Sequence, residues 1–424
     1  MFKINDLRIE DDLLPILDYT RNDFSKNVLI GLLQEPLTSI EAILDRQEVL
    51  KGFISQNHVL KNFAYSRYDL MEVHDYLKPG NFLSSKDMDL HIQLLLNRQL
   101  RNKKTGEFIQ VILLLHKFQN YYFSRIESKS FPEHYKAVLV QMNDFLNNLN
   151  LDFYEELIRE QKFRIKHIVD LYTMFYQLIQ KEEVSRFWTQ FFQFEAYLSL
   201  SFAVRKNNWT FPEFTTSGIS ITDFYHPVIK VPVVNSIQSN HNVILLTGPN
   251  MSGKSTLLKS ISLVIFLSHV GMAVPASKAE FPFIDSLSVH INLNDEISSG
   301  YSHFMSEIHN LKQVLISAHD GKRHFVIFDE LFRGTNHEDA ISISYTTIRG
   351  LCNFKNSFFF ISTHLQELSQ LDEVVLQKVD SYYIDCELKG KLPVFNYKLK
   401  QGWSDLKLGR ILFEREGLDE LFGK

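Results

Sequence analysis

The sequence predicts two parts of different class: an all-α region over residues 1–207 and an α/β region over 219–424 built on a mainly parallel sheet, joined by a linker at 208–218. Three observations carry this. Residues 1 to about 205 contain few Gly or Pro and repeat apolar residues at spacings of three and four, the period of packed helices. Near Asn207-Asn208 the texture changes, and Trp209 to Gly218 is rich in Thr, Pro and aromatic residues. Beyond it, short apolar runs alternate with helical stretches, as parallel strands covered by helices do.

In the first region, Ile168, Leu171, Phe175 and Leu178 fall on one helical face. Thr38 followed by Glu41 has capping-box spacing just after Pro36 and opens a helix carrying Ile40, Ile43, Leu44 and Leu50. The basic run from Asn97 to Gly106 ends in a turn signal and reads as a solvated loop, with contact to a nucleic-acid backbone as the second reading. In the second region the strands are Val243–Thr247, Phe325–Phe328 and Phe358–Ser362, and the helices lie at about 254–270, 302–319 and 338–351.

Composition bounds the function. With 45 Lys+Arg against 50 Asp+Glu, the formal charge of −5 gives no global basic signal, so nucleic-acid binding has to come from a local surface or a shaped channel. Cys352 and Cys386 provide no disulfide framework, and the start MFKINDLRIEDD lacks the basic and apolar regions of a signal peptide, so the expected compartment is the cytoplasm. Apolar runs such as Val111–Leu115 and Leu263–Leu267 are far short of the roughly 20 residues of a membrane span, so no membrane partner is expected.

The chemistry is concentrated in the second region. Gly248-Pro249-Asn250-Met251-Ser252-Gly253-Lys254-Ser255, followed by Thr256, satisfies G-x-x-x-x-G-K-[ST] between a strand and a helix, and reads as a phosphate-binding loop. Its glycines let backbone N–H groups converge on phosphates, Lys254 reaches the β- and γ-phosphates of ATP, and Ser255 coordinates Mg²⁺. Phe325-Val326-Ile327-Phe328-Asp329-Glu330 is an apolar strand ending in two carboxylates, Asp329 for Mg²⁺ and Glu330 to orient the attacking water. The strand Phe358–Ser362 ends in Thr363-His364, which brings an imidazole to the same sheet edge to sense a γ-phosphate. Ser298-Ser299-Gly300-Tyr301-Ser302-His303 combines small residues with a helix start, a donor surface suited to phosphate.

Taken in order, TGPNMSGKST, SSGYSHFMSEI, VIFDELFRGT and STHLQEL resemble the MutS mismatch-repair family. The resemblance implies an α/β P-loop NTPase of the ABC type preceded by a helical core or lever region, with two composite ATP sites at a homodimer interface. By it, Ser302 approaches the γ-phosphate of the partner subunit, the turn from Arg333 to Asn336 lies at the interface, and His364 is the switch histidine. The segment Tyr225-His226-Pro227-Val228-Ile229, with Asn235 after it, is similar to the family's approach to its first ATPase strands. Phe395-Asn396-Tyr397-Lys398-Leu399, Gly402 and Gly409-Arg410 are similar to its closing strand and dimer-supporting helices, with Tyr397 stacking on adenine and Pro232 at an adenine-contact position.

Phe24–Leu29 through Pro36, and Ile43–Gln47, resemble the start of the family's helical core, so the chain is expected to lack the mismatch-reading and connector domains. The implied function is an ATP-dependent, DNA-binding ATPase acting in mismatch repair or on related DNA structures. Its expected partners are double-stranded DNA, mismatched or branched, a second copy of the chain, and a longer MutS relative or other repair proteins. A second reading is an ATP-switched assembly module with weak or no DNA binding, which the acidic balance and the expected lack of the family's DNA-gripping clamp favour.

Overall fold

The computed structural model of the chain describes residues 2–82, 87–249, 251–291, 303–332, 334–389, 392–403, 413 and 421. Its strands, in chain order, are β1 (Phe2–Lys3), β2 (Glu213–Thr215), β3 (Ile219–Phe224), β4 (Asn235–Ser239), β5 (Val243–Thr247), β6 (Lys278–Pro282), β7 (Ser286–His290), β8 (His324–Asp329), β9 (Phe358–Thr363), β10 (Asp380–Lys389) and β11 (Leu392–Gln401). Two compact units divide them from most of the helices. One comprises residues 1–16, 33–44 and 206–424, and the other residues 17–32 and 45–205.

The first unit is built on a seven-stranded sheet of order β1-β7-β8-β9-β5-β10-β11, parallel at every pairing except β10 with β11. Its central strands are apolar end to end because both faces are covered. Val243, Leu245, Val326, Phe328, Phe359 and Ile361 share one face with Val314, Ala340, Ile348 and Leu351 of the helices His303–Ala318 and His337–Leu351. The alternate residues, among them Ile244, Phe325, Ile327 and Phe360, point the other way and are equally buried. The helix Lys254–His269 contacts β7, β8 and β9, and most of its residues are buried, including Ile261, Val264, Ile265 and Phe266. A smaller sheet, β2-β6-β3-β4, completes this unit.

His269 ends the helix Lys254–His269 in a fully buried site. Its Nδ1 lies 2.7 Å from the Ile265 carbonyl, and its Nε2 is 3.0 Å from the Ile284 amide. One neutral tautomer satisfies both: Nδ1–H donates to the carbonyl and Nε2 accepts from the amide. Burial pushes the imidazole down to about 4.

The second unit is helical and its core is aromatic. Along Glu183–Asn207, Phe187, Phe191, Phe194 and Leu198 recur at helical spacing and are buried. Phe191 stacks on Phe118 with centroids 4.8 Å apart, and Phe194 meets Phe53 edge-on at 5.0 Å. Within this core Glu195 is buried but saturated, accepting from Asn22 Nδ2 at 2.6 Å, Ser25 Oγ at 2.7 Å, Tyr65 Oη at 2.6 Å and the Arg21 amide at 2.8 Å. Burial raises its carboxyl despite these donors.

Three local expectations are corrected. The basic run from Asn97 is helix rather than loop: Asn97 accepts from the Leu100 amide and caps Arg98–Tyr121, while a Cβ at Gly106 would meet nothing, so that glycine sits in a helix under no packing constraint. The helix Ile40–Ser55 is capped by Ser39, whose hydroxyl accepts from the Ala42 amide, and not by Thr38. The region read as helix throughout opens instead on β1, which pairs in parallel with Leu287 and Ser288 of β7.

The His269 site makes acid stability testable. Because the folded pKa lies below the unfolded value, the unfolded chain binds the extra proton; the stabilisation is complete above about pH 6.5 and is lost as pH falls from there toward 4, by up to about 3 kcal/mol. Denaturant titrations at about pH 7 and about pH 5 should register this loss, and His269→Gln, which keeps one donor and one acceptor, should flatten it. Equal pH slopes for the two proteins would reject the assignment.

Candidate nucleotide site

Parallel pairing aligns the ends of the three central strands. Thr247 of β5 stands opposite Thr363 of β9, and Asp329 of β8 stands opposite Ser362 of β9, so the segments that follow leave the sheet at one edge. The segment after β5 turns sharply into the helix Lys254–His269. It needs positive φ at Gly248 (143°), Met251 (68°) and Gly253 (97°). A Cβ on Gly253 would come 3.3 Å from the Tyr397 ring, so position 253 combines a left-handed backbone with a close neighbour. The result is a loop of backbone amides opening a 16-residue helix, a geometry that favours anions.

Polar side chains converge on this edge. Lys254 is buried and donates to the carbonyls of Gly248 at 2.8 Å and Pro249 at 3.1 Å, with its ammonium 3.6 Å from Glu330 Oε1. Ser255 Oγ donates to Asp329 Oδ2 at 2.5 Å, and Ser362 Oγ donates to Asp329 Oδ1. The Glu330 amide in turn donates to Ser362 Oγ at 2.9 Å. Glu330 itself has φ 59° and Phe332 has φ 64°, a left-handed backbone that non-glycine residues hold only when their surroundings impose it. His364 is exposed just past β9, where the Leu365 amide donates to Thr363 Oγ1 at 3.1 Å.

Beside the loop is a cavity of about 250 Å³. Ser252, Gly253 and Thr256 form its loop wall, Tyr397 faces them, and Ile229, Val231, Pro232 and Val233 supply an apolar side. His226 also lines it, and burial lowers that imidazole, which keeps it neutral near pH 7. Asn235 ties two of these walls together. Its Nδ2 donates to the Tyr397 carbonyl at 3.0 Å, and its Oδ1 accepts from the Leu399 amide at 2.8 Å. An apolar slot rimmed by a few polar groups and contiguous with an anion-binding loop suits a nucleotide base.

The structure thus brings together Gly248, Pro249, Met251, Ser252, Gly253, Lys254, Ser255, Thr256, Asp329, Glu330 and Tyr397, with His364 at the same sheet edge. Asn250, Ser302, Arg333, Gly409 and Arg410 lie outside the described residues. Of the rest of the turn expected at a dimer interface, Asn336 caps the helix His337–Leu351 through the Asp339 amide. Gly334 passes so close to Phe304 that a Cβ would sit 2.8 Å from it. Two lining features escaped the sequence reading: the valines of the 231–233 segment, and the imidazole of His226, whose only sequence signal was its place in the Tyr225–Ile229 segment.

Fold and site define a P-loop NTPase-like domain with a mostly parallel sheet, accompanied by a helical region. Residues 244–414 match the family model of MutS domain V. The chain is 30% identical over 282 residues to the DNA mismatch repair protein MutS of Lactobacillus acidophilus, covering 62% of this chain and 32% of the relative. It is 33% identical over 222 residues to mouse MutS protein homolog 4, covering 50% and 23%. With the DNA mismatch repair protein MutS of Persephonella marina it shares 28% identity over 335 residues, covering 75% and 38%. Residues 244–414 therefore carry the likeness to MutS domain V, and the chain spans from 23% to 38% of the length of these relatives. Among the described residues no helix is long and apolar enough to cross a membrane.

The Asn235 clamp yields a prediction on this site alone. Asn235→Ala removes both hydrogen bonds that hold β11, and with it Tyr397, over the cavity, and with each contributing about 1 kcal/mol it should weaken adenine-nucleotide binding by roughly thirtyfold. Nucleotide titration by calorimetry tests this. Wild-type affinity would mean that the cavity does not hold the base.

Proposed function

We propose that the chain is an ATP hydrolase of the ABC type that works as a homodimer and couples its ATP cycle to movement of the helical region on DNA. The observation that carries the hydrolase reading is the convergence of Lys254, Ser255, Asp329 and Glu330 at one sheet edge, each held by a named contact. A hydroxyl and a carboxylate oxygen 2.5 Å apart, at Ser255 and Asp329, are the hard oxygen donors that suit Mg²⁺. When bound there, Mg²⁺ would neutralise phosphate charge.

The protein groups divide the remaining work. Loop amides and Lys254 take the β- and γ-phosphates, and Tyr397 with the valine wall takes the adenine. Glu330 accepts a hydrogen bond from the attacking water and orients it in line with the γ-phosphate. His364 reads the γ-phosphate from the neighbouring strand end. Ser302 completes the site of the partner subunit, and the turn at 333–336 lies in that interface. The bacterial relatives are named as DNA mismatch repair proteins, which supports duplex DNA, mismatched or branched, as the partner of this chain. A longer MutS relative or other repair proteins are further candidate partners.

Two experiments test the reading. Glu330→Gln keeps the shape of the side chain and loses its carboxylate, so it should bind ATP with near-wild-type affinity and hydrolyse it about 10²-fold or more slowly. Wild-type turnover would transfer the water-orienting role elsewhere. Lys254→Ala should abolish tight ATP binding, and Ser302→Ala should be inactive although its own loop is intact. In a mixture of these two chains, one site of a mixed dimer receives both substitutions and the other neither, so activity should return. Mixed dimers that form, seen by size-exclusion chromatography with ATP, yet stay inactive would contradict sites shared between subunits.

A further inference from the structure

β7 ends at His290, and the register with β8 sets this residue directly opposite Phe328, one position before Asp329. The two rings stack with centroids 5.3 Å apart and planes 13° from parallel. His290 Nε2 is buried and has no hydrogen-bond partner among the described residues. His290 lines a small pocket of about 10 Å³ together with Glu307, Asn310, Asp329 and Glu330. Glu307 is itself buried, at 2% exposure, on the helix His303–Ala318.

Volume and chemistry point to the same occupant. A space of roughly 10–15 Å³ holds one water, provided two to four polar groups meet it. The wall supplies an imidazole nitrogen, the Glu307 and Asn310 side chains and the strand end that carries the two carboxylates. Leaving a buried nitrogen unpaired costs about 1–3 kcal/mol, which a bridging water removes. The strand end it would touch includes Glu330, whose left-handed backbone needs support from its surroundings.

We propose that His290 is a positioning residue: it seats one ordered water between its Nε2 and the Asp329–Glu330 end of β8, and this water fixes the orientation of the Glu330 carboxylate. The proposal rests on the ATP-hydrolase reading above, and it ties the strand carrying the carboxylates to Glu307 and Asn310, on the helix that follows Ser302. Nothing in the sequence marks His290, a lone histidine at a strand end.

His290→Phe preserves the stack on Phe328 and deletes Nε2, while His290→Gln returns a polar atom near the same place. For the full chain with ATP and Mg²⁺, His290→Phe should leave ATP affinity within about twofold and lower single-turnover hydrolysis about tenfold, and His290→Gln should recover much of the rate. A high-resolution crystal structure of the wild-type protein should contain a water within hydrogen-bonding distance of Nε2. Wild-type hydrolysis by His290→Phe overturns the proposal, as does a rate loss matched by equal losses of ATP affinity and thermal stability. Should His290→Phe fail to fold, the absence of that water from the wild-type crystal overturns it instead. Glu330→Gln measured alongside separates the two levels. If it is slow while His290→Phe is not, only the role of His290 falls; if Glu330→Gln hydrolyses normally, the hydrolase reading falls and the proposal with it.

Discussion

The candidate site depends on the parallel pairing of β8 with β9 and of β9 with β5. Three strands running the same way must end at the same edge, and the register sets Asp329 against Ser362 and Thr247 against Thr363. Ser362 turns that alignment into chemistry, because its buried hydroxyl donates to Asp329 and accepts from the Glu330 amide. One side chain on β9 therefore touches both acidic residues at the end of β8, and the Ser362 carbonyl accepts a second bond from the Glu330 amide at 3.2 Å. The Ser255 hydroxyl then joins the loop helix to the same carboxylate.

Around this fixed centre the proposed sites for the two halves of a nucleotide rest on different physics. The proposed phosphate site relies on backbone amides and a buried lysine, so it is built into a short, strained loop whose glycines hold positive φ. The proposed base slot relies on apolar contact and is assembled from separate stretches of chain, with Asn235, the first residue of β4, holding β11. The loop geometry is set by residues that no other type replaces easily, whereas the base slot tolerates exchange among apolar side chains.

That difference explains how much was legible in the sequence. Gly248, Gly253 and Lys254 announce the loop because the backbone demands glycine at fixed spacing, and β5, β8 and β9 announce themselves because strands buried on both faces are apolar throughout. The cavity beside the loop was only partly readable: Tyr397 and Pro232, expected near adenine, do line it, while the valines around Pro232 look like any exposed loop until the fold brings them there. β1 is two residues long and carries no period of its own. The run from Asn97 to Gly106 misled because Lys, Arg and a Gly resemble a solvated loop. The cap at Asn97 and the pairing of Lys104 with Glu107 at 3.1 Å, one turn apart, favour helix.

The claim that the β8–β9 pairing sets the hydrolytic geometry is tested most directly at Ser362, which lines no cavity described here. ATP affinity and Mg²⁺-dependent turnover should be measured together in Ser362→Ala. The account predicts affinity within about threefold of wild type, because the loop is untouched, and turnover lower by at least about tenfold, because Asp329 and the Glu330 amide lose the hydroxyl they share while only the backbone bond from that amide remains. Turnover at the wild-type rate in a folded Ser362→Ala protein would contradict it.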